Sequence, residues 1–131
     1  MTLQEKLLAV QQEIGAITKD SENPFFKSKY FDINSLLSQV KPVLNKHGLV
    51  VIQALVALEG KNGLHTALIE AETGKEIGFS CLLPETADAQ KAGSAITYFR
   101  RYALQSLLAL EAEDDDANGA SGKLKDNDEP F

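Results

Sequence analysis

The stretch Leu49–Leu58, LVVIQALVAL, constrains this chain more than any other: it holds no charge, no glycine and no proline. Its β-branched, apolar character predicts a strand, and the lack of polar alternation predicts one covered on both faces. The following residues supply its partners. Asn62-Gly63 marks a turn, and Leu64–Glu72 reads as a second strand. Thr73-Gly74 is a tight-turn pair, after which Ile77, Phe79, Cys81 and Leu83 alternate with smaller residues in a third strand over 75–83, ended by Pro84. The expected unit is an antiparallel meander.

Helical periodicity flanks it. Thr2 with Glu5 forms a capping-box pattern, and Leu3, Leu7, Val10, Ile14 and Ile17 make one apolar stripe on a helix of about four turns ending before Asp20. Residues 18–31 read as a loop. A second helix starts near Asp32 or Asn34, with Ile33, Leu36, Leu37, Val40 and Leu44 on one face; Pro42 should kink it or end its first half, and Gly48 caps it. The longest helix runs from about Ala87 to Leu110. Ala89, Ala92, Ile96, Phe99, Ala103, Leu107 and Leu110 form its expected buried face, with Lys91, Ser94, Tyr98, Arg101 and Gln105 opposite. The expected class is therefore α+β, in the order α-α-β-β-β-α. Residues 1–111 form one domain, and 112–131 form an acidic tail too poor in apolar residues to order itself.

Charge divides along the same line. Residues 1–110 hold eleven basic and eleven acidic side chains, so the net −6 belongs wholly to residues 111–131, with two basic and eight acidic. An acidic chain of this kind is not barred from binding nucleic acid. No apolar run approaches the ~20 residues that cross a bilayer. A single cysteine excludes an internal disulfide framework, and a cytoplasmic location is expected.

Catalytic patterns are missing. Gly60-Lys61-Asn62-Gly63 and Gly74-Lys75 lack the frame of a phosphate loop, and no nucleophile elbow, HExxH or paired-cysteine pattern occurs. His47 and His65 have no ligand spacing around them, and Cys81 alternates with apolar residues as a core side chain does. Asp114-Asp115-Asp116-Ala117-Asn118-Gly119 fits the first six positions of a calcium loop, yet position twelve is Lys125 instead of a bidentate Glu. No cofactor is expected, beyond weak Mg²⁺ association with the acidic run.

Two clusters mix cations with rings, the combination that suits single-stranded nucleic acid, where rings stack on bases and cations meet phosphates. Phe25-Phe26-Lys27-Ser28-Lys29-Tyr30-Phe31 contains four of the nine aromatics. At least one of its phenylalanines is expected to pin the loop to the core, whereas Lys27 and Lys29 are harder to explain by packing. Thr97-Tyr98-Phe99-Arg100-Arg101-Tyr102 contains three more aromatics. There Phe99 faces the core, Tyr98 and Arg101 join Lys91 on the outer face, and Arg100 sits at the edge of the apolar face.

Asn23-Pro24-Phe25-Phe26-Lys27-Ser28-Lys29-Tyr30, followed by Asp32 and an apolar helix ending at His47-Gly48-Leu49, resembles the N-terminal signature of the phage ERF (essential recombination function) family. Gly93-Ser94-Ala95-Ile96-Thr97-Tyr98-Phe99-Arg100-Arg101-Tyr102-Ala103-Leu104, leading to Glu113-Asp114-Asp115-Asp116-Ala117-Asn118, is similar to its second signature. Phe99 departs where a small residue is usual, and Ala109 where glycine is common; both concern packing. The resemblance implies a sheet of about three strands backed by helices. It also implies a single-strand annealing protein that coats DNA as a homo-oligomeric ring or filament and works without ATP. From it, Lys27, Lys29, Tyr30, Arg100, Arg101 and Tyr102 become contact candidates.

Asp126-Asn127-Asp128-Glu129-Pro130-Phe131 is similar to the acidic C-terminal peptide of bacterial single-stranded-DNA-binding proteins. That similarity makes Asp126, Asp128, Glu129, Pro130 and Phe131 candidates for binding a host repair partner. Two other readings stand beside annealing. An ordinary coating protein would need a barrel of about five strands, and an adaptor would use only the tail.

Overall fold

The computed structural model describes residues 1–17, 21–22, 29–30 and 32–112, with backbone alone for 21–22, 29–30 and Ala112. Helix α1 (Leu3–Ile14) opens on the expected capping box: the Glu5 amide donates to Thr2 Oγ1 (3.1 Å) and the Thr2 amide to Glu5 Oε1 (2.8 Å). It stops sooner than the stripe suggests. Gly15, at φ 65°, turns the chain, and Ile17 is buried in strand β1 (Ala16–Ile17) instead of on the helix. Within the predicted loop, β2 (Ser21–Glu22) pairs antiparallel with β3 (Lys29–Tyr30). Strand β1 pairs in parallel with β7 (Glu111–Ala112). Such two-residue pairings have no hydrophobic period to announce them.

Helix α2 (Ile33–Lys46) runs on through Pro42, so the end expected there does not occur. Pro42 is exposed, and water can satisfy the Ser38 carbonyl that loses its donor. His47 caps the helix and Gly48, at φ 78°, leads into the sheet.

Strands β4 (Leu49–Leu58), β5 (Lys61–Glu70) and β6 (Glu76–Leu82) form the predicted antiparallel meander with β5 central. The first turn is Glu59-Gly60, with φ 50° and 77°; Asn62 and Gly63 lie inside β5. A two-residue hairpin needs successive positive φ values to match the strand twist, and the pairing Leu58↔Lys61 puts that demand three residues earlier than Asn62-Gly63.

All three helices lie on one side of the sheet. Leu36, Val40 and Leu44 of α2, Leu3 and Val10 of α1, and Leu104 and Leu108 of helix α3 (Ala89–Leu108) share one core with Leu49 and Leu68. A second cluster joins Leu64, Leu83 and Ala103, with Ile96, Phe99 and Cys81 packed against it. On the other side, Val50 and Ile52 are 42% and 40% exposed, so β4 is covered on one face only. The sequence signal for double coverage stands, and nothing among the described residues supplies the second cover.

Helix α3 (Ala89–Leu108) begins at Asp88, whose Oδ1 accepts from the Gln90 amide (2.9 Å), and ends at Ala109 in the left-handed region. The predicted stripe is one of two buried sides. Leu104 and Leu108 form another against α2, because a helix wedged between sheet and helix buries more than a single face.

Glu70 and Lys6 tie α1 to the end of β5. Their ion pair is 2.8 Å long and largely buried, and Glu70 also accepts from Thr73 Oγ1 (2.6 Å). The Lys6 and Thr73 donors hold the Glu70 carboxyl below its usual 4.5. A lowered folded-state pKa gives stability that is full above the unfolded value and lost as pH falls through the folded one. Thermal melts from pH 7 to pH 3 should therefore fall most steeply below about 4.5, and Glu70→Gln should melt lower at pH 7 with a flatter acid limb.

At Gly78 an added Cβ would run into the Thr66 carbonyl and come within 2.7 Å of Ala67 Cα. Gly78→Ala is expected to lose on the order of 1–3 kcal/mol in urea unfolding, by forcing β6 away from β5.

Candidate nucleic-acid interface

The basic-aromatic segment of α3 is placed by its neighbours on both sides. Phe99 and Ala103 turn toward β5 and β6, Leu104 toward α2. Gln53 of β4 fixes the backbone between them: its Nε2 donates to the Arg100 carbonyl (3.0 Å) and to Thr66 Oγ1 (3.1 Å). The donation to a carbonyl sets the orientation of the amide, which leaves Gln53 Oε1 buried with no partner among the described residues.

Tyr98, Arg101 and Tyr102 then form one unit. The tyrosine rings are 4.7 Å apart and tilted by 56°. The Arg101 guanidinium carbon lies 5.1 Å from the Tyr98 centroid and 5.3 Å from that of Tyr102. Tyr98 also meets Phe99 edge-on at 6.1 Å. Arg101 is only 8% exposed, which corrects its expected place on the solvent side. Two rings supply cation–π attraction that water would otherwise supply as hydration. The signal was present in the spacing, since Tyr98 stands three residues before Arg101 and four before Tyr102, the separations at which helix side chains meet.

The remaining candidates fall differently. Lys91 is exposed on the first turn of α3, as predicted, and Arg100 is half-buried at the edge of the packed face. Lys29 and Tyr30 are in β3, paired with Glu22 and Ser21. Lys27 lies outside the described residues, as do the acidic run 114–116, the calcium-like loop and Asp126–Phe131.

Both histidines acquire carboxylate neighbours that spacing could not reveal. His47 Nε2 is 2.9 Å from Glu13 Oε1, beside Lys46 at 3.1 Å from Glu13 Oε2. Hydrogen bonds from His47 and then Lys46 hold the Glu13 carboxyl below its ordinary value. His65 sits between Ser80 Oγ (2.7 Å) and Glu76 Oε2 (2.8 Å) on the open face of the sheet. Only the β5–β6 register, pairing His65 with Ser80, brings that row together. Cys81 packs with the second cluster, and burial pushes its thiol up, away from nucleophilic use. Among the described residues no group of three or more His, Cys, Asp or Glu could hold a metal, and no helix is long and apolar enough to cross a membrane.

A family model described as the ERF superfamily matches residues 3–129. No curated protein and no solved structure matches the chain.

The stacked arrangement makes Arg101 a stability residue as well as a charge. Arg101→Ala should cost about 1–2 kcal/mol in urea unfolding, from two partly desolvated cation–π interactions. Lys91→Ala, at an exposed position, should stay within about 0.5 kcal/mol of wild type. Equal stabilities for the two variants would mean that the rings do not hold the guanidinium.

Proposed function

The chain belongs to the ERF superfamily, and from that premise we propose that it binds single-stranded DNA and anneals complementary strands without ATP, in phage-type homologous recombination. The family match over nearly the whole chain carries this reading, and the ring-and-cation unit of α3 supports it chemically. Annealing makes and breaks no covalent bond, so it needs no nucleophile, no general base and no cofactor. It needs strands held near one another with their phosphates screened and their bases reachable.

Lys27, Lys29, Lys91 and Arg100 are the proposed phosphate contacts, and Tyr30 the stacking platform. Tyr98 and Tyr102 present ring surface beside Arg101, which positions them. The neutral body cannot bind tightly as one copy, so affinity must come from many copies along one strand. A homo-oligomer in the bacterial cytoplasm follows from this reading, with the acidic segment Asp126–Phe131 as the proposed contact for a host repair protein.

Mixing labelled complementary oligonucleotides tests the activity. The protein should accelerate pairing with no nucleotide added, whereas a simple coating protein slows pairing or leaves it unchanged, and an adaptor does not bind the strands. Replacing Lys27, Lys29 and Lys91 together with Ala should weaken binding alike for all sequences. It should also flatten the salt dependence by about 0.7 log units per log unit of salt for each phosphate no longer neutralised. Tyr30→Ala should instead cost about 1–3 kcal/mol per stacked base with little change in slope. A folded triple variant with an unchanged slope would remove these lysines from the site.

A further inference from the structure

Among the described residues no strand pairs with the outer edge of β4 or of β6, and the two edges are complementary. Gly48 O accepts from the Ala71 amide (2.9 Å), and the hairpin closes at Leu58↔Lys61. In this phase the even-numbered residues of β4 bond to β5, and the odd-numbered ones, Leu49 through Ala57, aim N–H and C=O away from the sheet. On the far side, the Glu70 amide donates to Lys75 O (2.8 Å) and the Leu83 amide to Asn62 O (2.9 Å). That phase turns the amides and carbonyls of Glu76, Gly78, Ser80 and Leu82 outward along β6.

Among the described residues neither edge carries the usual protection. Strand β4 has no charge at all and β6 has only Glu76; both keep an unbroken register with no bulge, lysine or proline. Exposed apolar side chains stand beside both edges on both faces, and on the open face of β6 they share the row with Ser80 and Glu76, which are engaged by His65. On the helix side Leu55 is 61% exposed at one edge and Phe79 37% at the other; on the open side Ile52 stands at one edge and Leu82, 52% exposed, at the other.

Strands β4 and β6 both run antiparallel to β5, so they run parallel to each other. A second copy carried along the sheet without being turned over brings its β6 beside β4 in parallel, with Phe79 on the side of Leu55 and Leu82 on the side of Ile52. We propose that the chain assembles in this way, head to tail, β6 of one copy adding to β4 of the next. A twofold pairing of β4 with β4 would leave every β6 edge bare. The head-to-tail pairing leaves none once the ring closes, and otherwise grows as a filament. The inference rests on the annealing reading for its purpose, and it names the surface by which copies join.

Proline blocks an edge without harming the sheet where the replaced N–H faces outward. Leu55→Pro disables the β4 edge and Ser80→Pro the β6 edge, and mass is read by light scattering without DNA. The wild type should be a multimer of the 14.2 kDa chain. Each variant alone should be a folded monomer. Mixed in equal amounts, the two should form a one-to-one pair of twice the single-chain mass, because each retains the edge that the other lacks. Melting curves come first; a proline variant that fails to fold is replaced by Leu55→Lys or Leu82→Lys, at exposed positions where lysine repels an incoming edge. A monomeric wild type, a folded variant with wild-type mass, or two monomeric variants that do not pair would overturn the proposal. Annealing by wild type alongside unaffected variants would sink the edge pairing alone. Assembly through these edges without annealing would sink the functional reading alone.

Discussion

The fold hangs on one row of side chains, Leu64, Thr66, Leu68 and Glu70, along the helix-facing side of β5. All four are buried, and each engages a different part of the molecule. Leu64 meets the Phe99 and Ala103 side of α3, and Thr66 holds Gln53, which holds the α3 backbone at Arg100. Leu68 lies in the core shared by α1, α2 and α3, and Glu70 draws Lys6 of α1 onto the sheet. Removing one such buried leucine typically costs about 2–5 kcal/mol, against total stabilities of about 5–15 kcal/mol. The helices are therefore positioned by the sheet, rung by rung.

That dependence determines what α3 can offer a ligand. Wedged between sheet and α2, the helix has two buried sides and a narrow outer one, and Arg101 falls at the boundary. A guanidinium there cannot behave as a loose surface cation. It is stacked on Tyr98 and Tyr102, and those rings are in turn held at a defined tilt. The freely exposed charge on α3 is Lys91, while the paired arginines serve as much to shape the surface as to charge it.

One-sided burial has a second consequence. A sheet with helices on a single face and, among the described residues, two unpaired edges that carry the single charge of Glu76 is incomplete as an isolated body, and a neutral surface is weak as an isolated binder. Both deficits have the same remedy, which is repetition. Copies joined through their sheets would bury the edges and line up the α3 surfaces along one strand of DNA.

Local pattern determined much of this. The capping box at Thr2, the meander, the turn of the chain at Gly48 after α2 and the long helix with Phe99 and Ala103 inward were legible because each depends on residues within a few positions of one another. The family signatures, too, were legible at Asn23–Tyr30 and Gly93–Leu104. Tertiary structure decided the rest. Periodicity cannot count how many sides of a helix are covered, so the burial of Leu104 waited on α2 and that of Arg101 on the way Tyr98 and Tyr102 close around it. Glycine content alone cannot place a turn, so Glu59-Gly60 waited on the strand register. The apolar run of β4 announced two covers, and the described residues supply one; a single sequence states the demand for burial but not which molecule meets it. His65 shows the limit most plainly. It lies fifteen residues from Ser80 and eleven from Glu76 in sequence, and within 2.8 Å of both once β5 and β6 pair.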